Sequence, residues 1–206
     1  MLLVGLTGSI GMGKSTIANR FRANGMPTFD ADKVVHDLYN ADAVQFIKEA
    51  FPETIRNEKV DRNLLSQKLL ADPMGLQRLQ NIIHPIVEEK QRQFLNYHFL
   101  EGAQVAVLEI PLLFEIYGDA RCDVTVVASS TYDIQRMRVL QRPGMTELKF
   151  KKVLSLQLSN TKKKHRADFI VNTEQSIENS YNQVDEIAEA LMIRKGIAFK
   201  RYWQVF

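Results

Sequence analysis

One cysteine, one tryptophan and six prolines occur in 206 residues. The single thiol, Cys122, cannot form an internal disulfide, so a disulfide-stapled scaffold is excluded and a reducing compartment is the expectation. Ten glycines without a period exclude a collagen-like repeat. No apolar run approaches the roughly 20 residues that a membrane helix needs. The start, MLLVGLTGSIGMGKS, has no basic segment before its short apolar run and does not read as a signal peptide. A cytoplasmic protein without membrane association is the working expectation. What is present is ordinary globular material: 45% hydrophobic and 25% charged residues. That is enough apolar surface to fold as one domain of this length, with room for a large insertion.

The formal net charge of +3 hides an uneven distribution. Residues 136–167 hold ten Lys or Arg and one acid, Glu147, so this segment carries +9 while the remainder carries −6. A mildly acidic body with one concentrated basic segment points to an anionic partner.

Short apolar runs that end in loop residues mark five strand candidates: Leu2–Leu6, Pro27–Phe29, Val105–Ile110, Val124–Val127 and Phe169–Val171. Helical patterns lie between them. Lys14–Asn24 is one; Ile177, Tyr181, Val184, Ala188 and Leu191, at steps of four and three, mark another. Alternating strands and helices predict an α/β fold with a parallel sheet covered on both faces. Residues 33–100 break the alternation. They show no convincing strand, read as helical, and are punctuated by Pro52, Pro73 and Pro85, so they predict a helical insertion.

Gly8-Ser9-Ile10-Gly11-Met12-Gly13-Lys14-Ser15 fits the pattern G-x-x-x-x-G-K-[ST] in full. Glycines let successive backbone N–H groups curl round a phosphate, and the helix that begins here favours an anion at its N-terminus. Lys14 reaches terminal phosphates, and the Ser15 hydroxyl can ligate Mg²⁺. By composition the pattern arises by accident in about one chain in a hundred of this size. Here it also follows a strand and opens a helix, the context the chemistry requires. The dinucleotide fingerprint fits less well, because Thr16 stands where its third glycine would be. A GTP-binding switch is disfavoured by the lack of an Asn-Lys-x-Asp motif. The basic segment admits two readings. One is nucleic-acid binding through Lys162–Arg166. The other, which phosphoryl transfer favours, is a set of cations that neutralises the transferring group, with Arg136, Arg138 and Arg142 upstream. Asp30-Ala31-Asp32 follows the second strand. One of its acids can cap the next helix, near Lys33, while the other accepts the proton of an acceptor hydroxyl at the ligand end of the sheet; both roles can hold at once.

Taken together, LTGSIGMGKST at 6–16, FDADKVVHDL at 29–38, VDRNLL at 60–65, LQNIIHPIV at 79–87, IPLLFE at 110–115, QRMRVLQR at 135–142, Gln157 and RADFIV at 166–171 resemble the dephospho-coenzyme A kinases over nearly the whole chain. The resemblance implies a P-loop NTPase-type parallel five-stranded sheet flanked by helices. It divides the chain into a nucleotide core (1–32 and 101–206), a helical CoA-substrate insertion (33–100) and a helical lid (about 133–166). It implies ATP-dependent phosphorylation of the ribose 3′-hydroxyl of dephospho-CoA, the last step of coenzyme A synthesis, in a monomer or small homo-oligomer without a nucleic-acid partner. Carried over residue by residue, ATP is expected on Gly8, Ser9, Ile10, Gly11, Met12, Gly13, Lys14, Ser15 and Thr16, with Mg²⁺ on Ser15. Asp32 is the expected base, Lys14, Arg138 and Arg142 the expected catalytic cations, and Arg62, His84 and Glu115 the expected acceptor contacts beside Asp32. Structural alternatives stand for the last three. His84 can cap or pack beside Pro85, Arg62 can pair with Asp61 or Glu58, and Glu115 can be an exposed helix residue. Gln80, Glu109, Thr173 and Lys162–Lys164 depart from the commonest residues of the family. The tail Phe199–Phe206 is expected either to dock on the core or to serve a subunit contact.

Overall fold

The computed structural model describes residues 1–205. In chain order the elements are β1 (Leu2–Thr7), α1 (Lys14–Ala23), β2 (Thr28–Asp30), α2 (Ala31–Leu38), α3 (Val44–Ala50), β3 (Ile55–Arg56), β4 (Lys59–Val60), α4 (Arg62–Ala71) and α5 (Gly75–Leu100). There follow β5 (Val105–Glu109), β6 (Val124–Ser129), α6 (Tyr132–Leu140), α7 (Glu147–Ser155), α8 (Asn160–Arg166), β7 (Phe169–Asn172), α9 (Ile177–Met192) and α10 (Ala198–Tyr202). They form two compact units, one of residues 1–30 and 95–206 and the other of residues 31–94. Among the described residues no helix is long and apolar enough to cross a membrane.

The first unit is built on a parallel sheet of order β2-β5-β1-β6-β7. Every residue of β1, β5 and β6 is buried, as a parallel strand covered on both faces demands. Central β1 lies between β5 and β6, and the chain reverses direction across the sheet there, so the end of β1 opens on the switch-point crevice. One face is sealed by Ile17, Ala18 and Phe21 of α1 with Val184, Ile187, Ala188 and Leu191 of α9. The α9 stripe keeps the expected phase from Val184 onward. Ile177, the first residue of that pattern, is instead 63% exposed.

The second unit has its own core of Leu38, Ala43, Ile47, Phe51, Val60, Leu65, Leu79 and Ile83. The expectation of a strand-free insertion needs one correction. Ile55–Arg56 and Lys59–Val60 form a small antiparallel hairpin. Its two turn residues, Asn57 and Glu58, both have positive φ, 47° and 60°. A two-residue turn of this hand ordinarily advertises itself by glycine in its second position, and Glu58 does not. Pro85 also differs from expectation. It sits inside α5, not at a break, and removes one backbone hydrogen bond from a 26-residue helix that continues past it.

The described part of the C-terminal tail docks on the first unit. Asp123 Oδ1 accepts from the amides of Ile197 and Ala198 at 2.7 and 2.9 Å, while its Oδ2 accepts from Leu3 N at 2.8 Å. Trp203 Nε1 donates to Arg121 O at 3.2 Å, and the Arg121 guanidinium lies 4.0 Å from the Trp203 ring centre. Phe206, the last residue of the expected cluster, lies outside the described residues.

Helices α1 and α9 are clasped by Arg20, whose Nε donates to Asp185 Oδ1 at 2.7 Å, and by Asn24 Nδ2, which donates to the same oxygen at 2.7 Å. The Arg20 and Asn24 hydrogen bonds hold the Asp185 carboxyl at about 2, below its ordinary 3.8. A depressed carboxyl stabilises the fold above its unfolded value and loses that contribution as pH falls through the folded value. The clasp is therefore expected to be fully effective above about pH 5 and to weaken between about pH 4 and 2. Urea midpoints measured across this range should flatten in Asp185→Asn. An unchanged acid slope in that variant would show that the clasp does not contribute.

Candidate active site

The loop that leaves β1 runs from Gly8 to Ser15, and α1 begins at Lys14. Two glycines are required by their surroundings. Gly8 has φ 152°, and a Cβ there would stand 2.7 Å from the carbonyl oxygen of Ala128. Gly11 has φ 78°, and a Cβ there would stand 2.5 Å from Val139 Cγ2 and 3.0 Å from Gln135 O. Helix α6 thus packs directly on the loop, at a distance that only hydrogen in place of a side chain permits.

Side chains from outside the loop hold its backbone. Ile10 is gripped on both sides of its peptide units: its N–H donates to Gln157 Oε1 at 3.1 Å, and its carbonyl accepts from Gln135 Nε2 at 2.7 Å. The Met12 carbonyl accepts from the Thr173 hydroxyl at 3.0 Å, and the buried Met12 sulfur accepts from Ser130 N at 3.1 Å. Lys14 Nζ folds back to donate to Gly8 O at 2.8 Å.

The expected cations meet the loop in one place. A cavity of about 340 Å³ is lined by Gly11, Gly13, Lys14, Ser15, Thr16 and, from other elements, Arg138 and Arg142. Arg138 is held by two hydrogen bonds to Thr173, from Nη1 to the hydroxyl at 3.0 Å and from Nη2 to the carbonyl at 2.6 Å. Thr173 therefore joins an arginine fork to the phosphate loop through Met12. In sequence Thr173 stands out only as a departure from the commonest residue of the family. A short hydroxyl at the end of the last sheet strand is the signal it carried.

Glu109 closes β5 and pairs in register with Leu6 on one side and Asp30 on the other. It is 4% exposed, and its Oε1 accepts from Ser15 Oγ at 3.4 Å. A buried carboxylate beside the loop serine is a hard-oxygen pair of the kind Mg²⁺ prefers. Among the described residues no three His, Cys, Asp or Glu gather into a site of their own. The residues present thus fit an ion that takes most of its ligands from phosphate oxygens and water. Cys122 offers no alternative chemistry, since burial, with smaller contributions from Asp123 and Asp119, pushes its thiol up to about 12.

Helix α2 begins at Ala31, two residues earlier than expected, so Asp30 ends β2 and Asp32 falls in the helix's first turn. Asp32 is solvent-exposed there, where a negative charge is favoured by the helix dipole. Within the second unit, the Asp61 side chain caps α4 by accepting from Asn63 N and Leu64 N. Arg62 pairs with neither Asp61 nor Glu58; its Nη1 lies 3.0 Å from His36 Nδ1. Since arginine has only donors, this contact fixes His36 Nδ1 as the acceptor. Burial pushes the nearby Tyr39 phenol above its ordinary value, and the Arg62 charge partly offsets this. His36 was not among the expected site residues; one histidine inside an amphipathic helix gives no signal by itself. His84 is exposed on α5, immediately before Pro85.

Glu115 and Lys163 are where local expectation and structure part. The Lys162–Arg166 run is not a uniformly solvated face. Lys163 is fully buried, with Nζ 2.9 Å from Glu115 Oε1 and 3.1 Å from Pro111 O. Burial lowers the Lys163 ammonium from the ordinary lysine value, and the hydrogen bond to Glu115 opposes that shift. Arg166 lies over the Phe114 ring and donates to Asp119 at 2.7 Å.

Residues 2–179 match the family model described as dephospho-CoA kinase. The chain is 46% identical over 190 residues to a dephospho-CoA kinase of Rhodopseudomonas palustris, covering 92% of this chain and 96% of that protein. Its fold is similar to the crystal structure of TT1252 from Thermus thermophilus, with a TM-score of 0.81 and 27% identity over 92% of this chain and 96% of that one. It is also similar in fold to dephospho-CoA kinase from Campylobacter jejuni, with a TM-score of 0.63 and 20% identity at the same coverage.

Gly11→Ala tests the contact between the loop and α6. A left-handed alanine plus the forced displacement of Val139 should cost about 2–4 kcal/mol of stability. Urea unfolding measures this directly. A midpoint equal to that of the native protein would mean that the loop can leave α6 without penalty.

Proposed function

The chain belongs to the dephospho-CoA kinase family, and from that premise we propose how its residues transfer the γ-phosphoryl group of ATP to the ribose 3′-hydroxyl of dephospho-CoA, giving coenzyme A. The observation that carries the reading is the cavity in which the loop glycines, Lys14 and Ser15 share one space with Arg138 and Arg142. The β- and γ-phosphates lie against the loop at Gly11, Gly13, Lys14 and Ser15 and the start of α1, where both the donors and the dipole favour anions, while the amides of Ile10 and Met12 are taken by Gln157 and Ser9. Lys14 exchanges the Gly8 carbonyl for a phosphate oxygen. Arg138, already oriented by Thr173, and Arg142 offset negative charge on the group in flight.

Mg²⁺, held by Ser15 with Glu109 behind it, would neutralise charge on the phosphate oxygens. Asp32 orients the 3′-hydroxyl and accepts its proton as the hydroxyl oxygen bonds to phosphorus and the bond to the β-phosphate oxygen breaks. Phosphoryl transfer asks for position and electrostatics more than for a strong base, so Asp32 needs no unusual basicity. Arg62, oriented by His36, and His84 are the proposed acceptor contacts of the second unit. The donor side is polar and cationic, which suits the triphosphate of ATP.

Steady-state turnover with dephospho-CoA, set against a panel of nucleoside monophosphates, tests the acceptor. In Asp32→Asn, kcat should fall by about 10²–10⁴-fold with little change in the KM for ATP. An unchanged kcat removes Asp32 from the role of base. In Lys14→Ala, kcat/KM for ATP should fall by at least about 10²-fold, as both binding and charge stabilisation are lost. ATP use at the native level in that variant would overturn the loop as the donor site.

A further inference from the structure

We propose that Glu115 is a positioning residue for the ATP side of the reaction, acting through the Leu156–Ser159 link on the amide of Ile10, and not a contact of the acceptor. The link between α7 and α8 is four residues long, and two of its neighbours in sequence do different work. Leu158 N donates to Glu115 Oε1 at 2.7 Å. Gln157, one residue earlier, accepts from Ile10 N inside the phosphate loop at 3.1 Å. Whatever fixes Leu158 therefore fixes the glutamine that grips the loop.

Glu115 is itself anchored. Lys163 Nζ lies 2.9 and 3.2 Å from its two carboxylate oxygens, and the lysine side chain is 0% exposed. The same ammonium donates to Pro111 O at 3.1 Å, and the Thr7 hydroxyl at the end of β1 donates to that carbonyl at 3.0 Å. The chain of contacts thus leaves the sheet at Thr7 and passes through Pro111, Lys163, Glu115 and Leu158. It returns to the loop at Ile10, two residues beyond the first glycine. A buried ammonium demands a partner, so Glu115 has little freedom to leave the brace for a ligand. Both carboxylate oxygens are committed within the first unit. An acceptor contact would have to break a buried charge pair, whereas a positioning role uses the pair as it stands.

The inference rests on the proposed placement of ATP in the loop, and the test separates the two. Glu115→Ala and Gln157→Ala should each raise the KM for ATP about three- to tenfold, the worth of one loop hydrogen bond, with the KM for dephospho-CoA changed less than about twofold. The double variant should be no worse than the worse single one, because both act on one contact. Glu115→Gln combined with Lys163→Met keeps an acceptor for Leu158 N and removes both buried charges. It should recover most of the ATP affinity and remains informative if Glu115→Ala folds poorly. Three results would overturn the proposal. A raised KM for dephospho-CoA with an unchanged KM for ATP makes Glu115 an acceptor contact. Multiplying effects in the double variant disconnect Glu115 from Gln157. A lower melting temperature with both KM values unchanged leaves the brace purely structural. Native ATP use in Lys14→Ala is the separate outcome that defeats the underlying placement, whatever Glu115 does.

Discussion

A phosphate-binding loop must leave amides for an anion, so beyond Met12 N, which donates to Ser9 O at 3.2 Å, it can spend little of its backbone on itself. Here that constraint is met from outside. Gln135 and Gln157 hold the two polar groups of Ile10, Thr173 holds the carbonyl of Met12, and Ser130 binds the Met12 sulfur. Each of these comes from a different part of the chain: α6, the α7–α8 link, and the residues that follow β6 and β7. Glycine at position 11 is the complement of this arrangement. It gives up a side chain so that α6 can approach closely enough to deliver Gln135. Preorganisation of this kind is what electrostatic catalysis requires, because donors already in place cost nothing to reorganise as charge develops.

The cationic character of residues 136–167 divides along the same lines. Arg138 and Arg142 line the loop cavity, while Lys163 and Arg166 are turned to the 111–119 segment. A charge run that looks uniform in sequence therefore does two jobs. Its first part lines the loop cavity and its last part holds the frame. Burial decides which is which, since a lysine without solvent must find a carboxylate.

Much of the first unit was legible in the sequence because its signals are local. The run LLVGLT is fully buried and is followed at once by the glycine pattern, so a strand of a parallel sheet, its loop and the next helix could all be placed from about twenty residues, though not the strand's central position. The five strands followed from apolar runs of the same kind. The grip on Ile10 was not legible, because Gln135 and Gln157 lie 125 and 147 residues away and a glutamine carries no signal of its partner. The hairpin at Ile55–Val60 escaped for the opposite reason. Its strands are two residues long, and its turn holds Glu58 where the usual signal is glycine. Pro85 misled because proline is read as a break, whereas a long helix with a buried stripe absorbs the loss of one bond.

Asp123 joins the two ends of the first unit. One carboxylate oxygen takes the amide of Leu3, 120 positions away, and the other takes those of Ile197 and Ala198, more than 70 positions away. Such distant closures come late in folding. Segments far apart along the chain thus share one carboxylate, so loss of the Asp123 side chain would loosen the start of β1 and the entry to α10 together.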